Sequence, residues 1–90
     1  MPVEEWAFEF TVENPTAALE RFVELATPVF AEFGWEVEGR GSDWAHWTID
    51  RQVARAYAIE TGVSVRGPGS AALPDRLRNL IASEPEWRLG

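Results

Sequence analysis

DRQVARAYAIETG, residues 50–62, is the stretch of sequence on which the choice between two folds depends. Asp50 can cap the start of a helix and Gly62 can end one, and the arginine, glutamine and alanine between them favour helix. The segment also alternates with a period of two, which is typical of a strand. As a strand it has one face of Val53, Arg55, Tyr57 and Ile59 and another of Ala54, Ala56 and Ala58. We favour the helix and keep the strand as the alternative.

The segment at the start of the chain predicts a strand followed by a helix. EWAFEFTVE, residues 5–13, alternates strictly between apolar and polar side chains, as a half-buried strand does. Asn14 is then a good helix N-cap, and Pro15 suits the first helical position. Apolar residues recur at three- and four-residue steps as far as Gly34, which ends the helix. Pro28 interrupts this pattern, so either the helix bends there or Thr27 caps a second short helix.

The middle of the chain predicts a β-hairpin, and the end predicts a strand and a helix. WEVEG (35–39) and DWAHWTI (43–49) both alternate, and RGSD (40–43) between them has the composition of a turn. VSVR, residues 63–66, is a short strand, and GPGS, residues 67–70, is a loop. A last helix is expected from Pro74 to Ser83.

These elements predict one α+β domain over residues 1–90, with an antiparallel sheet and its helices on one face. If residues 50–60 are helical, the order is the ferredoxin-like βαββαβ plan with an added C-terminal helix. If they form a strand, the order becomes a β-α-β-β-β-β-α meander.

The charge of the chain is one-sided: fifteen acidic residues stand against eight arginines, there is no lysine, and the formal net charge is −7. Such a field repels nucleic acid and anionic membranes. It favours a basic protein surface as partner, and a protein that itself binds nucleic acid is one such partner. No apolar run is long enough for a membrane span, and the acidic start MPVEEWAFEF does not fit a signal peptide, so we expect a cytoplasmic protein.

The sequence contains no catalytic or metal-binding signature. It has no cysteine, and its single histidine, His46, has no second histidine or serine nucleophile placed with it. No calcium loop and no phosphate-binding loop is present. We therefore expect no catalytic residue, no metal and no cofactor. A small enzyme using His46 with Glu9 or Glu36 is the least favoured reading.

The sheet face turned away from the helices is the expected binding surface. In the ferredoxin-like order the strand that carries Trp44 and His46 lies beside the first strand, and an exposed tryptophan among charges is the pattern of a protein interface. Arg66 would offset one of the acids. The predicted partner-binding residues are Trp44, His46, Glu5, Glu9, Glu36 and Glu38.

We therefore expect a non-enzymatic, acidic protein-binding module that covers a basic surface on another protein. Immunity proteins, antitoxins and phage-encoded inhibitors work in this way. The alternative is a small-ligand-binding regulatory domain, which could be a homodimer. That alternative predicts a pocket lined by aromatic residues such as Trp35, Trp47 and Tyr57.

Overall fold

A computed structural model describes residues 5–69 and 71–89 of the chain. Residues 1–4 and Gly90 of the predicted domain, and Ser70 of the predicted loop over residues 67–70, lie outside the described residues. In chain order the elements are β1 (Glu5–Thr11), α1 (Pro15–Glu32), β2 (Glu36–Arg40), β3 (Trp44–Ile49), β4 (Gln52–Ile59), β5 (Gly62–Pro68), α2 (Ala72–Ala82) and β6 (Arg88–Leu89).

The six strands form one antiparallel sheet in the order β2-β3-β4-β5-β1-β6. This confirms the expected α+β class with an antiparallel sheet and helices. The ferredoxin-like order is not confirmed. Instead β2, β3, β4 and β5 form a meander, as in the alternative. β1 pairs with β5, the last strand of that meander.

The favoured helix over residues 50–60 is wrong, because this segment forms β4. Asp50 caps no helix. It lies in the two-residue turn between β3 and β4 with φ of 52°, a left-handed conformation that aspartate tolerates better than most residues. The alanines that favour helix lie on the side of β4 against which α1 packs, where Ala54 and Ala56 are fully buried. Small side chains let the helix approach the sheet, and tertiary packing overrides the intrinsic preference of alanine.

Helix α1 begins where the sequence predicts and is continuous. The Asn14 side chain accepts a hydrogen bond from the Ala17 backbone N–H at 3.2 Å, and Pro15 occupies the first turn. The helix runs through Pro28, so the alternative of a second short helix capped by Thr27 is wrong. Thr27 Oγ1 donates instead to the Val23 carbonyl at 2.7 Å, inside the same helix.

The core lies between the helices and one face of the sheet, and aromatic rings fill it. Trp47 on β3 is fully buried and stacks on Phe30 of α1, with centroids 4.3 Å apart and planes at 11°. Leu77 and Ile81 of α2 are fully buried in the same cluster. Both helices therefore cover the same side of the sheet, and no helix of the described residues covers its other side, which we call the outer face. Of the described helices, neither has the length and apolarity needed to cross a membrane.

Candidate partner-binding face

Trp44 lies on the outer face, where its ring rests against the glycines of the β2–β3 hairpin. A Cβ added to Gly39 would lie 3.3 Å from Trp44 Cη2, and one added to Gly41 would overlap Trp44 Nε1. The Trp44 side chain is 40% exposed, whereas Trp6, Trp35 and Trp47 are buried. The ring is thus supported by the backbone of the hairpin, and part of the residue stays exposed to solvent.

Trp44 belongs to a line of cross-strand neighbours that we call the aromatic row. Trp44 on β3 lies opposite Tyr57 on β4, and Tyr57 lies opposite Ser64 on β5. Ser64 in turn lies opposite Glu9 on β1. Trp44 is exposed, Tyr57 is half-buried and Ser64 is buried. Exposure to solvent therefore decreases along the row from Trp44 to Ser64, which lies in the middle of the sheet.

A second line, the arginine row, runs beside the first. His46 on β3 lies opposite Arg55 on β4, and Arg55 lies directly opposite Arg66 on β5. The His46 ring is 5.0 Å from the Trp44 ring between centroids, and the Arg66 guanidinium carbon is 5.9 Å from the centroid of Tyr57. The two rows therefore place cationic groups and aromatic rings side by side at the centre of the outer face.

The predicted glutamates lie at the two sides of this centre. Glu5 and Glu9 are exposed on β1, and Glu36 and Glu38 are exposed on β2, the edge strand beyond β3. Because β4 and β5 separate β1 from β3, the first pair lies about 14 Å from the strand of Trp44, three strand spacings away. The structure brings Trp44 and His46 together but does not gather all six predicted residues into one acidic patch. We call the four glutamates the acidic rim.

The arginines of the centre have no ion-pair partner among the described residues. The ion pairs found there join Arg21 to Glu84, Arg76 to Glu32 and Arg78 to Asp75, all on or next to the helices. No ion pair joins Arg66 to an acid among the described residues: Ala7 and Arg55 lie directly opposite it, and Glu9 lies diagonally across from it on β1. The centre of the outer face thus differs in charge from the chain as a whole.

Sequence reasoning missed Arg55 and Tyr57 as residues of this face. Both lie on β4, and the signal that could have found them was the alternation of residues 53–59, which places them on the same side of a strand. Because a helix was favoured for this segment, neither residue was expected to belong to the sheet. Once β4 is a central strand, its polar and aromatic side chains occupy the middle of the exposed surface.

The aromatic residues proposed for a ligand pocket are not brought together, and His46 is separated from one of its two proposed acidic partners. Trp47 and Trp35 are buried on the helix side, whereas Tyr57 lies on the outer face, so the three cannot line one pocket. His46 and Glu9 lie three strands apart, about 14 Å, which is too far for direct proton transfer. Glu36 lies on the neighbouring strand β2, diagonally across from His46, since Glu36 pairs with Thr48 and Gly39 pairs with His46. Over residues 5–69 and 71–89 no group of three histidine, aspartate or glutamate side chains could hold a metal ion.

Two depressions mark the described surface. One, of about 410 Å³, lies on the outer face and is lined by Ala7, Phe8, Glu9, Thr11, Ser64 and Arg66. The other, of about 1000 Å³, is a groove between the start of α1 and the segment after α2. Its lining includes Val12, Asn14, Ala17, Arg21, Trp87 and Arg88.

The outer face has groups that are suited to binding. Arginine guanidinium groups can hold anions, aromatic rings supply apolar contact area, and the acidic rim can attract basic residues. No known protein family, no curated protein and no solved structure matches this chain closely enough to indicate a relationship.

Proposed function

We propose that this chain is a non-enzymatic protein-binding module whose contact surface is the outer face of the sheet. The partner would be a protein with a basic surface, and the mode of action would be that of an immunity protein, an antitoxin or a phage-encoded inhibitor. The observation that supports this most is the grouping of Trp44, Tyr57, Arg55 and Arg66 on the side of the sheet that no helix covers.

Residue types support the proposal, because tryptophan, tyrosine and arginine are the side chains that contribute most to binding energy in protein interfaces. They also cluster near the middle of such interfaces, surrounded by polar residues that exclude water. The centre of the outer face, with its two rows, and the acidic rim around it have this arrangement.

The net charge supports a basic partner. With a formal net charge of −7 the chain attracts cationic proteins over distances longer than direct contact, which speeds their association. The rim glutamates are exposed and can contact lysine and arginine on the partner once the surfaces meet. We therefore expect association to slow as salt concentration rises.

A pull-down from lysate of the native host tests the proposal with variants of the outer face. Trp44→Ala and Tyr57→Ala should each weaken capture of the same basic protein, by about 30-fold if each residue is a binding hot spot. Leu89→Ala is the matched control, because Leu89 is 43% exposed, close to the 40% of Trp44, but lies on the opposite edge strand β6. Circular dichroism would establish that every variant is folded.

The proposal gains support only if the captured protein is basic, is lost with both outer-face variants and is retained by Leu89→Ala. Capture that is equal for all variants would place the contact elsewhere and overturn the proposal. An association rate that does not change with salt concentration would show that the negative charge of the chain does not speed its association with the partner.

A second candidate function, a small-ligand-binding regulatory domain, is favoured by the groove of about 1000 Å³ beside Trp87. This groove has apolar lining from Val12 and Ala17 and charged lining of both signs, from Arg21, which is paired with Glu84, and from Arg88, Glu13 and Glu86. Apolar walls with a few charged groups are typical of small-molecule sites. A thermal-shift screen of metabolites tests it, with Trp87→Leu as the variant. A ligand that raises the melting temperature of the wild-type protein but not of that variant would support this candidate over the first.

A further inference from the structure

The pairing of Arg55 with Arg66 is unfavourable for the sheet itself. The two residues are directly opposite on neighbouring antiparallel strands, a position in which like charges destabilise a sheet. His46 continues the line on the other side of Arg55, so no acidic residue occupies a directly opposite position along the row from β3 to β1. An anion bound by both arginines would offset this repulsion.

Both guanidinium groups can be reached from solvent, because Arg55 and Arg66 are exposed. On the β1 side, Arg66 also lines a depression that Arg55 does not line. The depression of about 410 Å³ includes Ala7 and Ser64, whose small side chains leave the guanidinium of Arg66 accessible from the side. Tyr57 lies on the other flank, with its ring centroid 5.9 Å from the Arg66 guanidinium carbon. Glu9 also lines the depression, so it is the internal group with which an incoming anion would compete.

We propose that Arg55 and Arg66 bind a carboxylate that the partner protein inserts at the centre of the contact. This inference rests on the proposed function and names the chemistry of the partner's central residue, an aspartate or glutamate side chain surrounded by basic residues. Arginine binds carboxylate through paired, charge-assisted N–H donors, and two arginines together offer donors from both sides.

The charges of the chain favour one carboxylate over a polyanion. A nucleic acid would bring many phosphates close to the acidic rim and to a chain of net charge −7. The resulting repulsion would outweigh the attraction of the phosphates to two arginines. A single carboxylate in a basic surface satisfies both regions at once: the rim receives the basic residues and the arginine row receives the acid. This removes the apparent conflict between an acidic protein and the cationic centre of its exposed face.

An NMR titration of the intact chain tests the inference with two short amidated peptides. One has a glutamate flanked by arginines, and the other has glutamine in place of the glutamate. The Nε–Hε signals of Arg55 and Arg66 should shift and saturate with the glutamate peptide, which should bind about tenfold more tightly than the glutamine peptide. Arg55→Gln or Arg66→Gln should remove that difference, and Glu9→Gln should strengthen binding of the glutamate peptide.

Arg51→Gln is the matched control, since Arg51 is an exposed arginine in the turn just before β4 and makes no ion pair with a described residue. It should keep the preference for the glutamate peptide. Equal binding of the two peptides, or equal loss with Arg51→Gln and Arg55→Gln, would overturn the inference. Tighter saturable binding of inorganic phosphate or a short oligonucleotide at the same signals would overturn it too, because the site would then be a phosphate site.

The two proposals fail in different ways. If Trp44→Ala and Tyr57→Ala still capture the partner, the proposed function is wrong whatever the peptides do. If these variants lose the partner while Arg55→Gln and Arg66→Gln retain it fully, the outer face is the interface and only the carboxylate inference is wrong.

Discussion

Trp47 Nε1 donates a hydrogen bond to Thr27 Oγ1 at 3.2 Å, and the same hydroxyl donates to the Val23 carbonyl at 2.7 Å. Since Trp47 is fully buried, its indole N–H has no access to water, and Thr27 is the group that satisfies it. This chain of two hydrogen bonds joins the centre of β3 to the middle of α1 and fixes how the helix lies on the sheet.

Thr27→Val should destabilise the protein by about 1–3 kcal/mol, because it leaves the buried indole N–H without an acceptor while keeping the volume of the side chain. Thr27→Ser should cost less, since it keeps the hydroxyl and loses only a methyl group. Urea unfolding followed by circular dichroism measures both. A valine variant as stable as the wild-type protein would show that this hydrogen bond contributes nothing.

Gly62→Ala should destabilise the protein by more than about 2 kcal/mol or prevent folding, because a Cβ at this position would overlap the carbonyl oxygen of Phe10 on β1. The overlap is with backbone, which cannot move aside without breaking the pairing of β1 with β5. Gly39→Ala is the control: its Cβ would meet only the Trp44 ring, at 3.3 Å, and that side chain can shift. Thermal unfolding of the two variants should therefore differ by many degrees.

Gly41→Ala should displace the Trp44 ring without unfolding the chain, because the added Cβ would overlap Trp44 Nε1 in the exposed hairpin. Fluorine NMR of protein labelled with fluorotryptophan follows this directly, since the five tryptophans give separate signals. The Trp44 signal should move while those of the buried Trp47 and Trp35 stay in place. Movement of all five signals would mean that the hairpin glycine supports the whole fold and not the position of one ring.

Arg55→Gln should stabilise the isolated chain by about 0.2–1 kcal/mol, because it removes a like-charge pair across β4 and β5. The gain should shrink as salt is added, since salt screens the repulsion in the wild-type protein. Arg51→Gln, in the turn before β4, should show no such gain. Denaturant unfolding at two salt concentrations distinguishes these results, and a loss of stability in Arg55→Gln would show that the two arginines do not repel in the folded state.

Local patterns predicted those parts of the fold that depend on local interactions. The alternation over residues 5–13 and the cap at Asn14 predict β1 and the start of α1, and the strand of the structure ends at Thr11, two residues earlier than predicted. Strand order depends on pairings between residues far apart in sequence, which no local pattern contains. The alanines of β4 were misleading for a related reason, since alanine favours helix in isolation but also suits a strand that a helix covers closely.

The candidate site changed with the strand order. Trp44 and His46 were expected on an exposed face, and they lie there. Their expected neighbours on β1 are instead replaced by Arg55 and Tyr57 of β4. The residues next to Trp44 therefore depend on whether residues 50–60 form a helix or a strand. With the helix they would be glutamates of β1, whereas with the strand they are Arg55 and Tyr57 of β4.

The pairing of β1 with β5 also determines the order in which the chain can fold. Trp6 lies opposite Gly67, so β1 cannot form this pairing until β5, which is far along the chain, is available. The hairpins from β2 to β5 can close earlier, because each joins neighbouring segments. Until then Trp6, Phe8 and Phe10 form an apolar stretch without its partner strand, which is the kind of segment that aggregates. Glu5 and Glu9 alternate with these rings and keep the unpaired strand charged. We therefore expect them to reduce association between chains that have not finished folding.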